Sequence, residues 1–229
     1  MLSAMTLART LTVAVPGSLL RLEARHLPLG LSSGTGSAEA VAPLAVIAPP
    51  HPMYGGTLGN PVIGVMERTL RAHGLSTLAF NFRGTGESDG EQTGSYDEAL
   101  ADYLAVARAL PDAELSWLSG YSFGSVAALA SAVELDAPRV LMVAPPLGML
   151  DPALVARYRG QLAVVVGTED EYAPLDELRA LLEPRAQTTL ELLPGVEHFF
   201  SGSDAQRLAE GLARLLIAAD VQLRQRAAT

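Results

Sequence analysis

A serine flanked by two glycines, in the segment GYSFG at residues 120–124, constrains the fold of this chain more than any other feature. Residues 113–119 before it can form a short strand, and the Ala-rich run 125–132 after it contains strong helix formers. A serine at such a junction lies on a sharp turn that exposes its hydroxyl. Gly120 and Gly124 lack the side chains that would collide where strand and helix nearly touch. The segment therefore predicts a strand, a tight turn at Ser122 and a helix.

Hydrophobic runs and helical periodicity predict the same alternation along most of the chain. The predicted elements are a hairpin at 11–15 and 19–24, strands at 44–48, 76–80, 139–143, 162–166 and 188–193, and helices at 62–73, 98–110, 151–159, 174–182 and 204–223. Repeated strand–helix units predict an α/β fold, with a mostly parallel twisted sheet covered by helices on both faces. Since the sequence shows no linker, repeat or break in composition, residues 1–229 are expected to form a single domain.

Composition excludes several classes of function. With 49% hydrophobic and 18% charged residues the chain is expected to fold, and its net charge of −9 argues against nucleic acid or an anionic membrane as a partner. The absence of cysteine excludes disulfides and a thiolate nucleophile, and no His, Asp and Glu cluster has metal-ligand spacing, so no metal or cofactor is expected. No apolar run reaches the ~18 residues of a membrane span, and the N-terminal residues lack a signal pattern, so a cytoplasmic protein is expected.

Two segments with charged residues follow predicted strands near the C-terminus. The segment GTEDE at 167–171 follows one strand, and GVEHFF at 195–200 follows the next. In such a sheet, ligands bind where the carboxyl ends of the strands meet. A serine hydroxyl needs a base to take its proton, and His198 is the natural base for Ser122.

A carboxylate is then needed to orient the imidazole and stabilise its cation. We predict Asp170 for this role from its position between Gly167 and Pro174. Glu169 and Glu171 are alternatives in the same loop, although both are expected to belong to a solvated acidic face. Asp151 is a second alternative, but its place before Pro152 favours capping of a helix.

The chain order Ser122, Asp170, His198 resembles that of the α/β-hydrolase superfamily. The segments PHPMYGG (50–56), NFRGTGES (81–88) and GVEHFF (195–200) are similar to those of a compact, lidless branch of bacterial serine hydrolases related to dienelactone hydrolases and small esterases. The resemblance extends from Leu44 to the final helix. It implies an α/β-hydrolase fold without a lid domain, and a serine hydrolase that cleaves a carboxylic ester or related acyl bond of a small molecule through a Ser-His-Asp triad.

The resemblance also implies an oxyanion hole built from backbone N–H groups. One donor should be Phe123, next after the serine. The other should come from the loop after strand 44–48, where Pro52 has no N–H, so Met53 is the first choice and Tyr54 the alternative. Pro52 stands where many relatives have Gly. His51 is expected to brace this loop.

Tyr54 and Phe199 are candidates for substrate contact. For Phe199 and its neighbour Phe200, packing in the core is an equal alternative. The acyl acceptor is open, because an acyltransferase, a thioesterase or a peptidase would use the same triad. A ligand-binding protein without catalysis is a further alternative, since fold does not fix function. The sequence also leaves homo-oligomerisation open.

Overall fold

The computed structural model describes residues 7–29 and 43–227, and within them eight strands form one sheet. The strands are β1 (Arg9–Ala14), β2 (Arg21–Leu27), β3 (Leu44–Ala48), β4 (Ser76–Phe80), β5 (Leu115–Tyr121), β6 (Arg139–Val143), β7 (Gln161–Gly167) and β8 (Thr188–Leu193). Their order across the sheet is β1-β2-β4-β3-β5-β6-β7-β8. The pairs β1–β2 and β2–β4 are antiparallel and all other neighbours are parallel. The predicted α/β class and its mostly parallel sheet are therefore confirmed.

Helices cover both faces of this sheet. They are α1 (Pro61–Ala72), α2 (Tyr96–Ala107), α3 (Phe123–Leu135), α4 (Pro152–Arg157), α5 (Leu175–Leu182) and α6 (Asp204–Ala227). One core cluster joins the sheet to α1 and α6, and the other joins it to α2, α3, α4 and α5. In β3, Val46 belongs to one cluster while Ala45 and Ile47 belong to the other. This alternation follows from the two-residue period of a strand that is buried on both faces.

A buried phenol fixes α2 against the centre of the sheet. The hydroxyl of Tyr103 lies 3.0 Å from the carbonyl oxygen of Val46 in β3 and 2.9 Å from that of Ser119 in β5, and it accepts the Ser119 N–H at 2.8 Å. The side chain of Tyr103 is fully buried. Strand β5 is thus held in place three residues before Ser122.

Some element boundaries differ from those that the sequence predicts. Strand β5 continues through Gly120 to Tyr121, beyond the predicted end at residue 119, because a residue without a side chain can stay in the strand where α3 passes close by. Helix α5 begins at Leu175, and Pro174 is its cap with an extended ψ of 124°, so the proline lies one residue outside the helix.

The connection from β6 to β7 is short, as the sequence predicts. Residues 144–160 contain a 3₁₀ turn at Leu147–Met149 and the six-residue helix α4, which confirms a fold without a lid domain. Asp151 caps α4, its Oδ1 accepting the Ala153 N–H at 2.8 Å, which confirms its predicted capping role. In the part of the chain that the structure describes, no helix is long and apolar enough to cross a bilayer.

We expect Gly124→Ala to destabilise the protein by about 1–3 kcal/mol, although alanine is the better helix former. A Cβ at residue 124 would lie 2.3 Å from the carbonyl oxygen of Pro49 and 2.5 Å from that of Ala48, so α3 would have to move away from the end of β3. Urea unfolding followed by circular dichroism measures the change in the free energy of unfolding.

Gly148→Ala is the matched control. A Cβ on residue 148 would have no neighbouring heavy atom within 4 Å, so this substitution should leave the free energy of unfolding nearly unchanged. Equal unfolding midpoints for Gly124→Ala and Gly148→Ala would show that the end of β3 and the start of α3 do not need their close approach.

Candidate active site

Ser122 lies on a strained turn between β5 and α3. Its φ is 52° and its ψ is −124°, a combination that non-glycine residues rarely adopt and that costs about 1–3 kcal/mol. The turn is tight because the glycines on either side let the backbones meet: a Cβ on Gly120 would lie 2.2 Å from the carbonyl carbon of Gly124. The Ser122 N–H donates to the carbonyl of Val143 in β6 at 2.9 Å. The serine is thereby presented at the carboxyl edge of the sheet, as its flanking glycines predict.

The structure brings His198 and Asp170 to this serine. Nε2 of His198 lies 3.0 Å from Oγ of Ser122, and Nδ1 lies 2.9 and 3.0 Å from the two carboxylate oxygens of Asp170. A proton on Nδ1 donates to the carboxylate, which leaves Nε2 free to accept from the serine hydroxyl. His198 and Asp170 are buried, whereas Glu169 and Glu171, the sequence alternatives to Asp170, are exposed.

The loops that carry the acid and the base are bonded to each other. The Glu169 N–H donates to the carbonyl of Val196 at 3.0 Å, and the Gly195 N–H donates to Oγ1 of Thr168 at 2.7 Å. Gly167 ends β7 where a Cβ would lie 2.0 Å from the Val196 carbonyl oxygen, so only glycine allows this contact. The relative positions of Asp170 and His198 are therefore set by the backbone as well as by their own hydrogen bonds.

Tyr121 ties the strand of the serine to the loop of the histidine. Its buried hydroxyl donates to the carbonyl oxygen of His198 at 3.0 Å. Burial, together with the nearby charge of Asp170, raises the pKa of Tyr121 well above its ordinary value, so the phenol stays a neutral donor. The sequence does not reveal this role, because position 121 is the variable residue of the serine motif.

The loop after β3 is braced by His51, as predicted. Nδ1 of His51 accepts the N–H of Met53 at 3.2 Å, and the His51 carbonyl accepts the N–H of Tyr54 at 3.1 Å. Burial lowers the pKa of His51, which keeps the ring neutral and able to accept. Both predicted loop donors are thus engaged within the loop itself. The amide of Phe123, by contrast, opens α3, where the first N–H groups have no acceptor within the helix.

A cleft of about 600 Å³ opens above the serine, within the size range of small-molecule sites. It is lined by Pro50, His51, Tyr54, Gly55, Gly56, Asn60, Tyr121, Ser122, Phe123, Pro146, Met149, Tyr172, His198 and Phe199. Tyr54 and Phe199, the candidate substrate contacts, are both here, whereas Phe200 is buried in the core. Sequence reasoning missed Tyr172, although its position two residues after Asp170 in a strand-end loop was a usable signal. Over residues 7–29 and 43–227, no three His, Asp or Glu side chains are grouped to hold a metal ion.

Comparison with known proteins supports this architecture. A model of the alpha/beta hydrolase family matches residues 55–224. An uncharacterised protein of Rickettsia prowazekii is 25% identical over an alignment of 178 positions, and the match covers 69% of this chain and 72% of that protein. An alpha-beta serine hydrolase homologue from Coxiella burnetii superposes with a TM-score of 0.75 at 25% identity, over 90% of this chain and 96% of its own. A serine hydrolase without a lid from Xanthomonas campestris gives 0.72 at 29% identity, over 90% and 94%.

We expect Tyr121→Phe to lower the free energy of unfolding by about 1–3 kcal/mol, because the buried carbonyl of His198 loses its donor. Tyr172→Phe is the matched control, since the side chain of Tyr172 is partly exposed and loss of its hydroxyl should cost less than about 0.5 kcal/mol. Urea unfolding of both variants measures the difference. Identical costs would contradict the assignment of Tyr121 as the tie between strand and loop.

Proposed function

The chain belongs to the alpha/beta hydrolase family, and we propose that it is a serine hydrolase that cleaves a carboxylic ester of a small molecule through an acyl-enzyme. The observation that carries this proposal is the unbroken series of hydrogen bonds from Ser122 through His198 to Asp170 at the floor of an open cleft. The similar proteins are an alpha-beta serine hydrolase homologue from Coxiella burnetii and a serine hydrolase without a lid from Xanthomonas campestris, which agrees with the proposal.

In the first half of the reaction, Oγ of Ser122 attacks the acyl carbon while Nε2 of His198 takes the hydroxyl proton. Asp170 accepts a hydrogen bond from Nδ1 and stabilises the imidazolium that forms. The C–O bond to the alcohol then breaks, and His198 gives its proton to the departing alkoxide oxygen. The products of this half are an ester on Ser122 and a free alcohol.

The negative charge on the tetrahedral carbonyl oxygen needs donors that are already in place. We assign one to the N–H of Phe123 at the start of α3, where the helix dipole also favours negative charge. The second is the N–H of Met53, with that of Tyr54 as the alternative. In the structure, Met53 donates to His51 at 3.2 Å, a long bond that an oxyanion can replace with a stronger, charge-assisted one.

In the second half, water enters the cleft and His198 takes one of its protons. The resulting hydroxide equivalent attacks the acyl carbon, Ser122 leaves with the proton returned by His198, and the carboxylic acid is released. Water is the favoured acceptor because residues 144–160 place only a 3₁₀ turn and a short helix beside the cleft, so bulk solvent reaches the acyl-enzyme.

We expect Ser122→Ala to abolish labelling by a fluorophosphonate probe and to lower kcat for p-nitrophenyl acetate by roughly four to six orders of magnitude. The reason is that no other hydroxyl lies within reach of Nε2 of His198 among the described residues. Intact-mass spectrometry measures labelling. Ser201→Ala, at an exposed serine, is the control and should be labelled fully. Labelling that survives Ser122→Ala, or an unlabelled wild-type protein, would overturn the proposal and favour a ligand-binding role.

We expect Asp170→Asn to lower kcat about 10³- to 10⁴-fold, because the amide cannot hold the Nδ1–H tautomer or stabilise the imidazolium. Glu169→Gln and Glu171→Gln change the neighbouring exposed carboxylates in the same way and should leave kcat unchanged. Steady-state kinetics with p-nitrophenyl acetate compares the three variants. A large loss in Glu171→Gln with an active Asp170→Asn would reassign the acid.

A further inference from the structure

The aromatic rings of Tyr172 and Phe199 pack against the ring of His198 in the cleft. The ring centroid of Tyr172 lies 4.6 Å from that of His198, and the centroid of Phe199 lies 5.2 Å away. The two rings also meet each other edge to face at 6.2 Å. The two residues are nevertheless 46% and 61% exposed. Large apolar side chains left in water beside a concave site mark a place where a ligand is held.

Their position identifies the part of an ester that they would hold. His198 must protonate the oxygen of the leaving alcohol, so that oxygen lies within hydrogen-bonding distance of Nε2. The carbonyl oxygen is directed instead toward the start of α3. The group attached to the alcohol oxygen therefore leaves the reaction centre on the side of His198, where Tyr172 and Phe199 pack.

The charges around the cleft restrict the substrate further. Of the described residues that line it, none is Arg, Asp or Glu, and burial lowers the pKa of His51 so that its ring stays uncharged. The two loops that carry Asp170 and His198 add exposed carboxylates at Glu169, Glu171 and Glu197, and the chain carries a net charge of −9. A carboxylate on the substrate would lose water without gaining a cation from the lining, and the net negative charge of the chain would repel it.

We propose that the substrate is an uncharged ester whose alcohol portion carries an apolar ring, that Tyr172 and Phe199 hold this ring, and that esters bearing a carboxylate are selected against. This inference rests on the proposed serine hydrolase function and adds a substrate class to it. Tyr172 and Phe199 are specificity residues in this assignment, and they take no part in the proton transfers.

Four acetate esters test the proposal, because all form the same acetyl-enzyme and differ only in the alcohol. They are ethyl acetate, benzyl acetate, 4-carbamoylbenzyl acetate and 4-carboxybenzyl acetate. We expect kcat/KM for benzyl acetate to exceed that for ethyl acetate by about 10- to 100-fold, the effect of burying one ring. We expect the carboxylate to lower kcat/KM by at least about 10-fold relative to the carbamoyl group, which has nearly the same shape.

Variants then assign the selectivity to the two rings. Phe199→Ala and Tyr172→Ala should each reduce the ratio of kcat/KM for benzyl to ethyl acetate by about 3- to 10-fold, with most of the change in KM. Tyr172→Phe keeps the ring and should keep the ratio. Ile217→Ala removes an exposed apolar side chain from α6, far along the chain from the cleft loops, and should change neither ratio nor rate.

Labelling of Ser122 by a fluorophosphonate distinguishes a wrong substrate class from the absence of serine hydrolase activity. With Ser122 labelled, any of three results shows that this inference is wrong while the hydrolase proposal stands. They are equal kcat/KM values for benzyl and ethyl acetate, a preference for the carboxylate ester, and a benzyl-to-ethyl ratio that is unchanged in Phe199→Ala. If Ser122 is not labelled and none of the four esters is cleaved, the hydrolase proposal itself is wrong, and the inference is overturned with it.

Discussion

The close approach of the β5 and α3 backbones is the constraint on which the rest of the structure depends. Gly120 allows it, since a Cβ there would lie 2.2 Å from the carbonyl carbon of Gly124, and Gly124 in turn lets α3 pass equally close to the backbone at the end of β3. The approach forces Ser122 to a positive φ, and the cost of that conformation is offset because the strand before it is buried between β3 and β6. Strain at one residue is thus maintained by packing that extends across the middle of the sheet.

Three strands supply the three groups of the candidate site. Ser122 follows β5, Asp170 follows β7 and His198 follows β8, so a parallel sheet delivers all of them to one edge. Their geometry does not rest on the side chains alone, because Tyr121 and the bonded loops of Asp170 and His198 hold the surrounding backbone. The proposed attack by Ser122 needs this preorganisation, because donors and charges must be in place before the reaction begins.

The sequence predicts the elements and the three site positions because periodicity, turn residues and strand-end loops are local signals. It does not predict features that depend on how a loop rotates in space. Phe199 and Phe200 are neighbours of the same type, yet a positive φ of 50° at Phe200 directs one ring into the core and leaves the other at the cleft. Likewise, the sequence predicts that His51 braces its loop, but it does not predict that the N–H held by the His51 ring is that of Met53, the first-choice oxyanion donor. The sequence does not predict a role for Tyr172 in the cleft, because that role depends on contact with His198, a residue 26 positions away.

The bonding between the loops after β7 and β8 has a consequence for motion. Since Glu169 donates to Val196 and Gly195 donates to Thr168, the loops of the acid and the base are bonded together, and separating these loops would break both contacts. Ser122 is held at a different place, by the turn between β5 and α3 and by its N–H bond to Val143. The hydrogen bond from Tyr121 to the His198 carbonyl joins these two parts of the site. A displacement of either loop would therefore move the acid and the base together relative to the serine.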